Sequence, residues 1–106
     1  MVKRKVSLEV EKSIKNYIEV ISQYYNIDAV YLFGSHAKGT PHKDSDIDIA
    51  IISKDIKDRI DDMGKLFALT WGIDTRIEPY PINTYDFQKQ DTIMANEIFK
   101  TGIKIA

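Results

Sequence analysis

Three aspartates, Asp44, Asp46 and Asp48, fall within five positions of the stretch "FGSHAKGTPHKDSDIDIAII", residues 33–52. Asp46 and Asp48 begin an otherwise apolar run that reads as a buried strand. At positions i and i+2 of a strand, two side chains leave the same face. Two carboxylates that close repel each other, and their pKa values rise unless a cation lies between them. A hard divalent ion satisfies such a pair, and Mg²⁺ in particular takes one or two carboxylates and completes its shell with substrate phosphates. Just upstream, Gly34 ends a short apolar segment and allows a sharp turn with close approach of a ligand to the backbone. A helical turn beginning at Ser35 would point free N–H groups at an anion, with the Ser35 hydroxyl and the Lys38 ammonium adding to the hold. The strand would therefore offer a metal site, and the turn would hold the phosphate that the metal bridges. A third carboxylate on a neighbouring strand would complete a two-metal centre with ions about 3.5–4 Å apart, stabilising both the attacking and the leaving oxygen of a displacement. The segment "IDTRIEPY", residues 73–80, supplies Asp74 and Glu78 as candidates.

Simpler readings account for some of these residues. "GSHAKGT" lacks the Gly-Lys-Ser/Thr order of a phosphate-binding Walker loop. An EF-hand calcium loop needs a glycine where Ile49 stands and a glutamate where Asp55 stands. Asp44 does no more than shape a turn. Asp74 can pair with Arg76 on an exposed strand. His36 and His42 fall in a polar loop and are expected to face solvent. Trp71 and the tyrosines at helical spacing are expected in the core or at an interface. Asp48, between Ile47 and Ile49, is poorly explained as a solvated turn residue.

The elements that must position these groups follow from periodicity. Val10, Ile14, Tyr17, Ile18, Ile21 and Tyr25 predict an amphipathic helix over 8–25, with Ser7 as N-cap and Asn26 closing it. Residues 29–33 predict a buried strand ending at Gly34, and residues 46–53 a second. Ile56, Ile60, Met63, Phe67 and Trp71 share one face of a helix over 56–71, capped by Asp55. Gly64 inside it costs about 1 kcal/mol relative to alanine. Residues 73–79 alternate as a third strand, with Asp74, Arg76 and Glu78 on one face, stopped by Pro79 and Pro81. Short helices follow at 84–89 and 91–101, the latter closed by Gly102, before an extended tail. This order predicts an α/β (α+β) domain in which a small mixed sheet is flanked by helices.

The 106 residues suit one domain spanning 1–106, with 43% hydrophobic and 29% charged side chains. A net charge of −1 argues against strong nucleic-acid binding. The basic cluster Lys3-Arg4-Lys5 reads as a solvated end. The lack of cysteine excludes disulfides and thiolate metal sites and fits a cytoplasmic location. No apolar run approaches a membrane span.

Gly34-Ser35, ten further residues, and then Asp46-Ile47-Asp48 resembles the signature of the nucleotidyltransferase superfamily related to DNA polymerase beta. "IDTRI" resembles the strand that carries the third carboxylate there, which favours Asp74 over Glu78. The size and element order resemble the minimal nucleotidyltransferases of bacteria and archaea. The resemblance covers essentially the full chain, most specifically residues 30–53 and 73–79. It implies the α/β palm of that superfamily. It also implies transfer of a nucleoside monophosphate, here AMP from ATP, to an acceptor hydroxyl with release of pyrophosphate. By position, Gly34, Ser35 and Lys38 would bind the nucleotide. Asp46, Asp48 and Asp74 would hold two Mg²⁺ ions and carry catalysis. Many relatives have arginine at the Lys38 position, and lysine keeps the charge without the bidentate grip. Minimal nucleotidyltransferases often pair with a HEPN-family ribonuclease toxin as its antitoxin, some by attaching AMP to a toxin tyrosine. A chain this short leaves no room for template or acceptor domains, so the acceptor would come from a partner protein or from a second subunit of a homo-oligomer. Two alternatives remain. One is a binding module that neutralises a partner by contact through an apolar helix face. The other is the catalytic subunit of an enzyme that modifies small molecules or tRNA.

Overall fold

The structure is a computed structural model that describes residues 6–39, 45–89 and 92–106, with Lys38 described in its backbone only. The turn signals at Thr40-Pro41, and Asp44, His42 and the Lys3-Arg4-Lys5 cluster, lie outside those residues. The elements run in the order α1 (Leu8–Ile21), β1 (Ile27–Phe33), α2 (Ser35–Lys38), β2 (Ile47–Ser53), α3 (Arg59–Ala68), β3 (Ile77–Asn83), α4 (Thr84–Lys89), α5 (Ile93–Thr101) and β4 (Ile103–Lys104). The mixed α/β architecture expected from the pattern is the one formed. The described residues form a four-stranded sheet of order β3-β2-β1-β4, with β1 antiparallel to both β2 and β4 and β2 parallel to β3. Among the described residues, no helix is long and apolar enough to cross a membrane.

Period-two alternation divides the core. Val30 and Leu32 of β1 and Ile47, Ile49 and Ile51 of β2 face one side, where Val10, Ile14, Tyr17 and Ile21 of α1 and Leu66 of α3 cover them. Ala50 and Ile52 face the other side with Tyr31 and Phe33, under Phe87 of α4 and Ala95 and Ile98 of α5. Asp48 therefore lies on the second face, at the end of β2 beyond the cover of those two helices.

Helix α1 is capped by the Ser7 hydroxyl, which accepts from the Val10 N–H. It stops at Ile21 with Ser22 as C-cap, short of the predicted end. Asn26 instead donates its backbone and side-chain amides to Asp55. Asp55 is thus not the cap of α3; Asp58 is, accepting from the N–H groups of Ile60 and Asp61. The helix runs only over Arg59–Ala68, and of the face predicted to point inward Ile56 is buried before it and Met63 is half-buried, but the rest turns outward. Ile60 is 85% exposed, Phe67 48% and Trp71 73%, while Asp62 and Leu66 turn inward. Asp62 is drawn in because it can be satisfied there. It accepts from the Tyr25 hydroxyl at 2.8 Å and from the N–H groups of Lys57 and Asp58 at 3.0 and 3.2 Å. Burial alone would raise its pKa, but these bonds outweigh burial and hold the carboxyl below its ordinary range.

Strand β3 contains both prolines that were expected to stop it. Among the described residues it pairs with β2 alone, so it is an edge strand. Pro79 and Pro81 are two positions apart, so their missing N–H groups fall on the same, unpaired edge and cost the ladder nothing.

Tyr17 joins the layers. It is fully buried, and its hydroxyl donates to the Leu66 carbonyl at 2.6 Å, linking α1 to α3. Tyr17→Phe removes that donor and leaves a buried carbonyl unpaired, at a cost of about 1–3 kcal/mol. Thermal unfolding should show Tm falling by about 4–8 °C per kcal/mol lost. An unchanged Tm would show that this bond does not couple the helices.

Candidate functional site

The site forms where three chain segments meet at one end of the sheet. Gly34 follows β1 with φ 74° and ψ −154°, a conformation open essentially to glycine alone. The helical turn expected at Ser35 follows it at once as α2. A Cβ placed on Gly34 would overlap Oδ2 of Asp48. The phosphate turn and the carboxylate strand expected from the sequence are therefore in direct contact, and only glycine fits between them.

Asp48 sits inside the ladder. It is paired with Phe33 of β1 on one side and with Glu78 of β3 on the other. Asp46 stands just before β2 and is exposed. Two hydrogen bonds flank it along the chain. The Ile47 N–H donates to the Arg76 carbonyl at 2.8 Å, and Nε2 of His36 lies 3.3 Å from the Ser45 carbonyl. His36 is not the solvent-facing loop residue expected; it is 5% exposed within α2. Tyr80, two residues past Glu78 on the same face, stacks edge-on against Phe33 with ring centroids 5.1 Å apart. It is close enough to the Asp48 and Glu78 carboxylates for their charges to act on its phenol.

The electrostatics follow from this crowding. Burial, followed by the charges of Glu78 and Asp46, pushes the Asp48 carboxyl up to about 6, against opposing effects from His36 and Tyr80. Burial, followed by the Asp48 and Glu78 charges, pushes the Tyr80 phenol up to about 12, so Tyr80 stays a donor at neutral pH.

Asp74 is held elsewhere. It lies in the turn before β3, outside the alternation that aligns Glu78 with Asp48. Its carboxylate accepts from the Arg76 backbone N–H at 3.0 Å, from the Arg76 guanidinium at 3.0 and 2.8 Å, and from the Ser13 hydroxyl of α1 at 2.9 Å. Arg76 also donates to Glu9 at 3.1 Å. The guanidinium hydrogen bonds come first among the causes that pull the Asp74 carboxyl down to about 2. The reading of Asp74, Arg76 and Glu78 as one strand face does not survive, because the strand begins only at Ile77. Asp74 clasps α1 to the turn, whereas Glu78 stands beside Asp48.

The donor set is one of hard carboxylate oxygens that repel one another, which suits a divalent cation. Among the described residues, no three His, Cys, Asp or Glu side chains gather closely enough to hold an ion by themselves. The set therefore fits an ion such as Mg²⁺ that takes one or two carboxylates and completes its shell with water and substrate phosphates. Glu78 was legible in the sequence as one of two candidates. Tyr80 was missed because prolines on both sides of it argued against a strand. His36 was missed because its neighbours are polar.

Comparison with known proteins agrees with this geometry. Residues 15–106 match the family model of the polymerase beta nucleotidyltransferases. The chain is 29% identical over 76 residues to the protein adenylyltransferase MntA of Shewanella oneidensis, covering 72% of this chain and 51% of that protein. It thus spans about half the length of that relative. A toxin-antitoxin crystallised with AMP-PNP superposes with a TM-score of 0.67 at 25% identity, covering 91% of this chain and 72% of that one. A mutant of the MntA-HpeT toxin-antitoxin gives 0.65 at 23% identity over the same shares of the two chains, and shows the shared fold. With its turn, its paired aspartates and a family match from residue 15 to residue 106, the chain belongs to the polymerase beta nucleotidyltransferase family.

Proposed function

We infer that the chain transfers AMP from ATP to a hydroxyl of a partner protein, as the antitoxin of a toxin-antitoxin pair of the HEPN and minimal-nucleotidyltransferase kind. The observation that supports this is the closeness of the Gly34 backbone to the Asp48 carboxylate, which sets the turn we assign to the phosphates against the carboxylate we assign to the metal. The relative named as a protein adenylyltransferase and the solved toxin-antitoxin bound to AMP-PNP support the donor and the partner class.

In this reading the free N–H groups at Gly34-Ser35 and the Ser35 hydroxyl hold the β- and γ-phosphates, and the Lys38 ammonium adds its charge. Asp46, Asp48 and Glu78 would hold two Mg²⁺ ions. The metal would supply charge neutralisation at the transferred phosphoryl group. Glu78 takes the place of the third carboxylate, and so is best placed to receive the acceptor's proton. Its register opposite Asp48 supports this assignment, as does the engagement of Asp74 with Arg76 and Ser13. Tyr80, on the same strand face as Glu78, would offer its hydroxyl to one of these carboxylates. Positioning and electrostatic stabilisation would do most of the catalysis.

The exposed Ile60 and Phe67 of α3, with Trp71 in the turn after it, favour a second reading, in which the chain silences its partner by contact alone.

Three outcomes are expected. With ATP labelled on the α-phosphate, Mg²⁺ and the co-encoded partner, label should reach the partner and be lost with Asp46→Asn, Asp48→Asn and Glu78→Gln. Asp74→Asn should keep transfer while lowering Tm. Label that survives Glu78→Gln but disappears with Asp74→Asn would reverse the assignment of the third carboxylate. A stable, silenced and unlabelled partner would instead establish contact neutralisation. The third outcome concerns pH. Asp48 has a folded-state pKa of about 6 against an ordinary value of 3.8, so its ionised form opposes folding. The penalty is absent below about pH 4, grows between pH 4 and 6, and is complete above that. In EDTA, Asp48→Asn should raise stability by about 1–2 kcal/mol at pH 8 after allowing for solvent screening, and should change little at pH 4. Equal stability of the two proteins at pH 8 in chemical denaturation would show that Asp48 is not strained.

A further inference from the structure

The two aspartates of the site are not held alike. Asp48 is fixed within the ladder by strands on both sides. Asp46 precedes the first residue of β2, so the ladder reaches it only through the neighbouring Ile47 N–H, bonded to the Arg76 carbonyl. On its other side is Ser45, whose carbonyl lies 3.3 Å from Nε2 of His36. A carbonyl can only accept, so this bond requires the proton on Nε2. His36 directly follows Ser35 and is buried within α2. One imidazole thus connects the phosphate turn with the residue that leads into the carboxylate strand.

We propose that His36 is a positioning residue for the metal–nucleotide site, its Nε2–H holding the Ser45 carbonyl so that Asp46 is held near Asp48. This rests on the nucleotidyltransferase reading above. The ring needs no contact with substrate; it acts through the peptide before Asp46. Groups that orient metal ligands commonly change metal affinity by about 10-fold or more when removed. A packing role alone would lower stability without selectively raising the Mg²⁺ requirement.

The test uses the whole chain and calorimetric binding of AMP-PNP across a Mg²⁺ titration, with backbone hydrogen exchange and Tm recorded on the same variants. His36→Phe keeps the volume and loses the donor, whereas His36→Gln keeps an N–H near the Nε2 position. His36→Phe should raise the Mg²⁺ needed for half-saturation by about tenfold and speed exchange at Ile47, whose N–H is bonded to the Arg76 carbonyl. Exchange at Ile49–Ile52 should stay slow. His36→Gln should restore both the Mg²⁺ requirement and the slow exchange. An unchanged Mg²⁺ requirement in His36→Phe would overturn the proposal, as would equal impairment of both variants accompanied by a fall in Tm. If His36→Phe does not fold, ¹⁵N shifts of the wild-type imidazole decide. The Nε2–H form supports the latch, and the Nδ1–H form overturns it. A wild-type protein that does not bind Mg²⁺ and AMP-PNP at all would overturn the nucleotidyltransferase reading itself, and the two failures are thereby distinguished.

Discussion

The contact between the Gly34 backbone and the Asp48 carboxylate is the constraint on which the rest of the site depends. A β-carbon at Gly34 would collide with that carboxylate, so β1 must end in a residue free to take positive φ, and the chain must turn into α2 at that point. The antiparallel pairing that sets Phe33 opposite Asp48 fixes the distance between turn and strand. The parallel pairing that sets Glu78 opposite Asp48 brings a further negative charge to the same face. The result is a carboxylate held near 6 by burial and by its neighbours' charge. A strand that had only to pack would gain by replacing it. The local cost makes sense where a cation and a phosphate occupy the same end of the sheet, and pre-organised repulsion of this kind is a common property of sites built to bind charge.

Much of this was legible in the sequence because two periods carry it. Alternation in "DIDIAIIS" placed Asp48 on the strand face opposite Ile47, Ile49 and Ile51, though the strand begins at Ile47 and leaves Asp46 just before it, and helical spacing placed Tyr17 and its neighbours inside. Periodicity, however, tells which residues share a face, not what covers that face. Ile60, Phe67 and Trp71 do lie on one side of α3 or its extension, but it is the outer side. The inner side is taken by Asp62, because Tyr25 and two backbone N–H groups meet its carboxylate. Local pattern could not reveal those partners, which come from α1's end and from the loop before α3. The prolines of β3 misled in a similar way. They break a central strand but not an edge, and edge position is a property of the whole sheet.

The third carboxylate shows the same limit at the scale of a single residue. Asp74 and Glu78 differ by four positions, so each would fall on the same strand face if the strand began early enough. The boundary at Ile77 separates them. Arg76 captures Asp74 in the turn, with Ser13 completing the clasp, and the ladder carries Glu78 to Asp48. The two acids are thereby pushed apart in character as well as place: one is neutralised by a guanidinium, the other crowded by like charge. His36 was obscured for a related reason. Its polar neighbours suggested solvent, while its burial depends on how α2 packs onto β1 and β2.

The most direct test of the central claim, that the carboxylates beside the Gly34-Ser35 turn form the metal–nucleotide site, is anomalous diffraction from crystals grown with Mn²⁺ and a non-hydrolysable ATP analogue. The expected map has manganese peaks among Asp46, Asp48 and Glu78, with the triphosphate on the turn and Asp74 still bound to Arg76. Manganese at Asp74, or a nucleotide seated away from Gly34, would contradict the account.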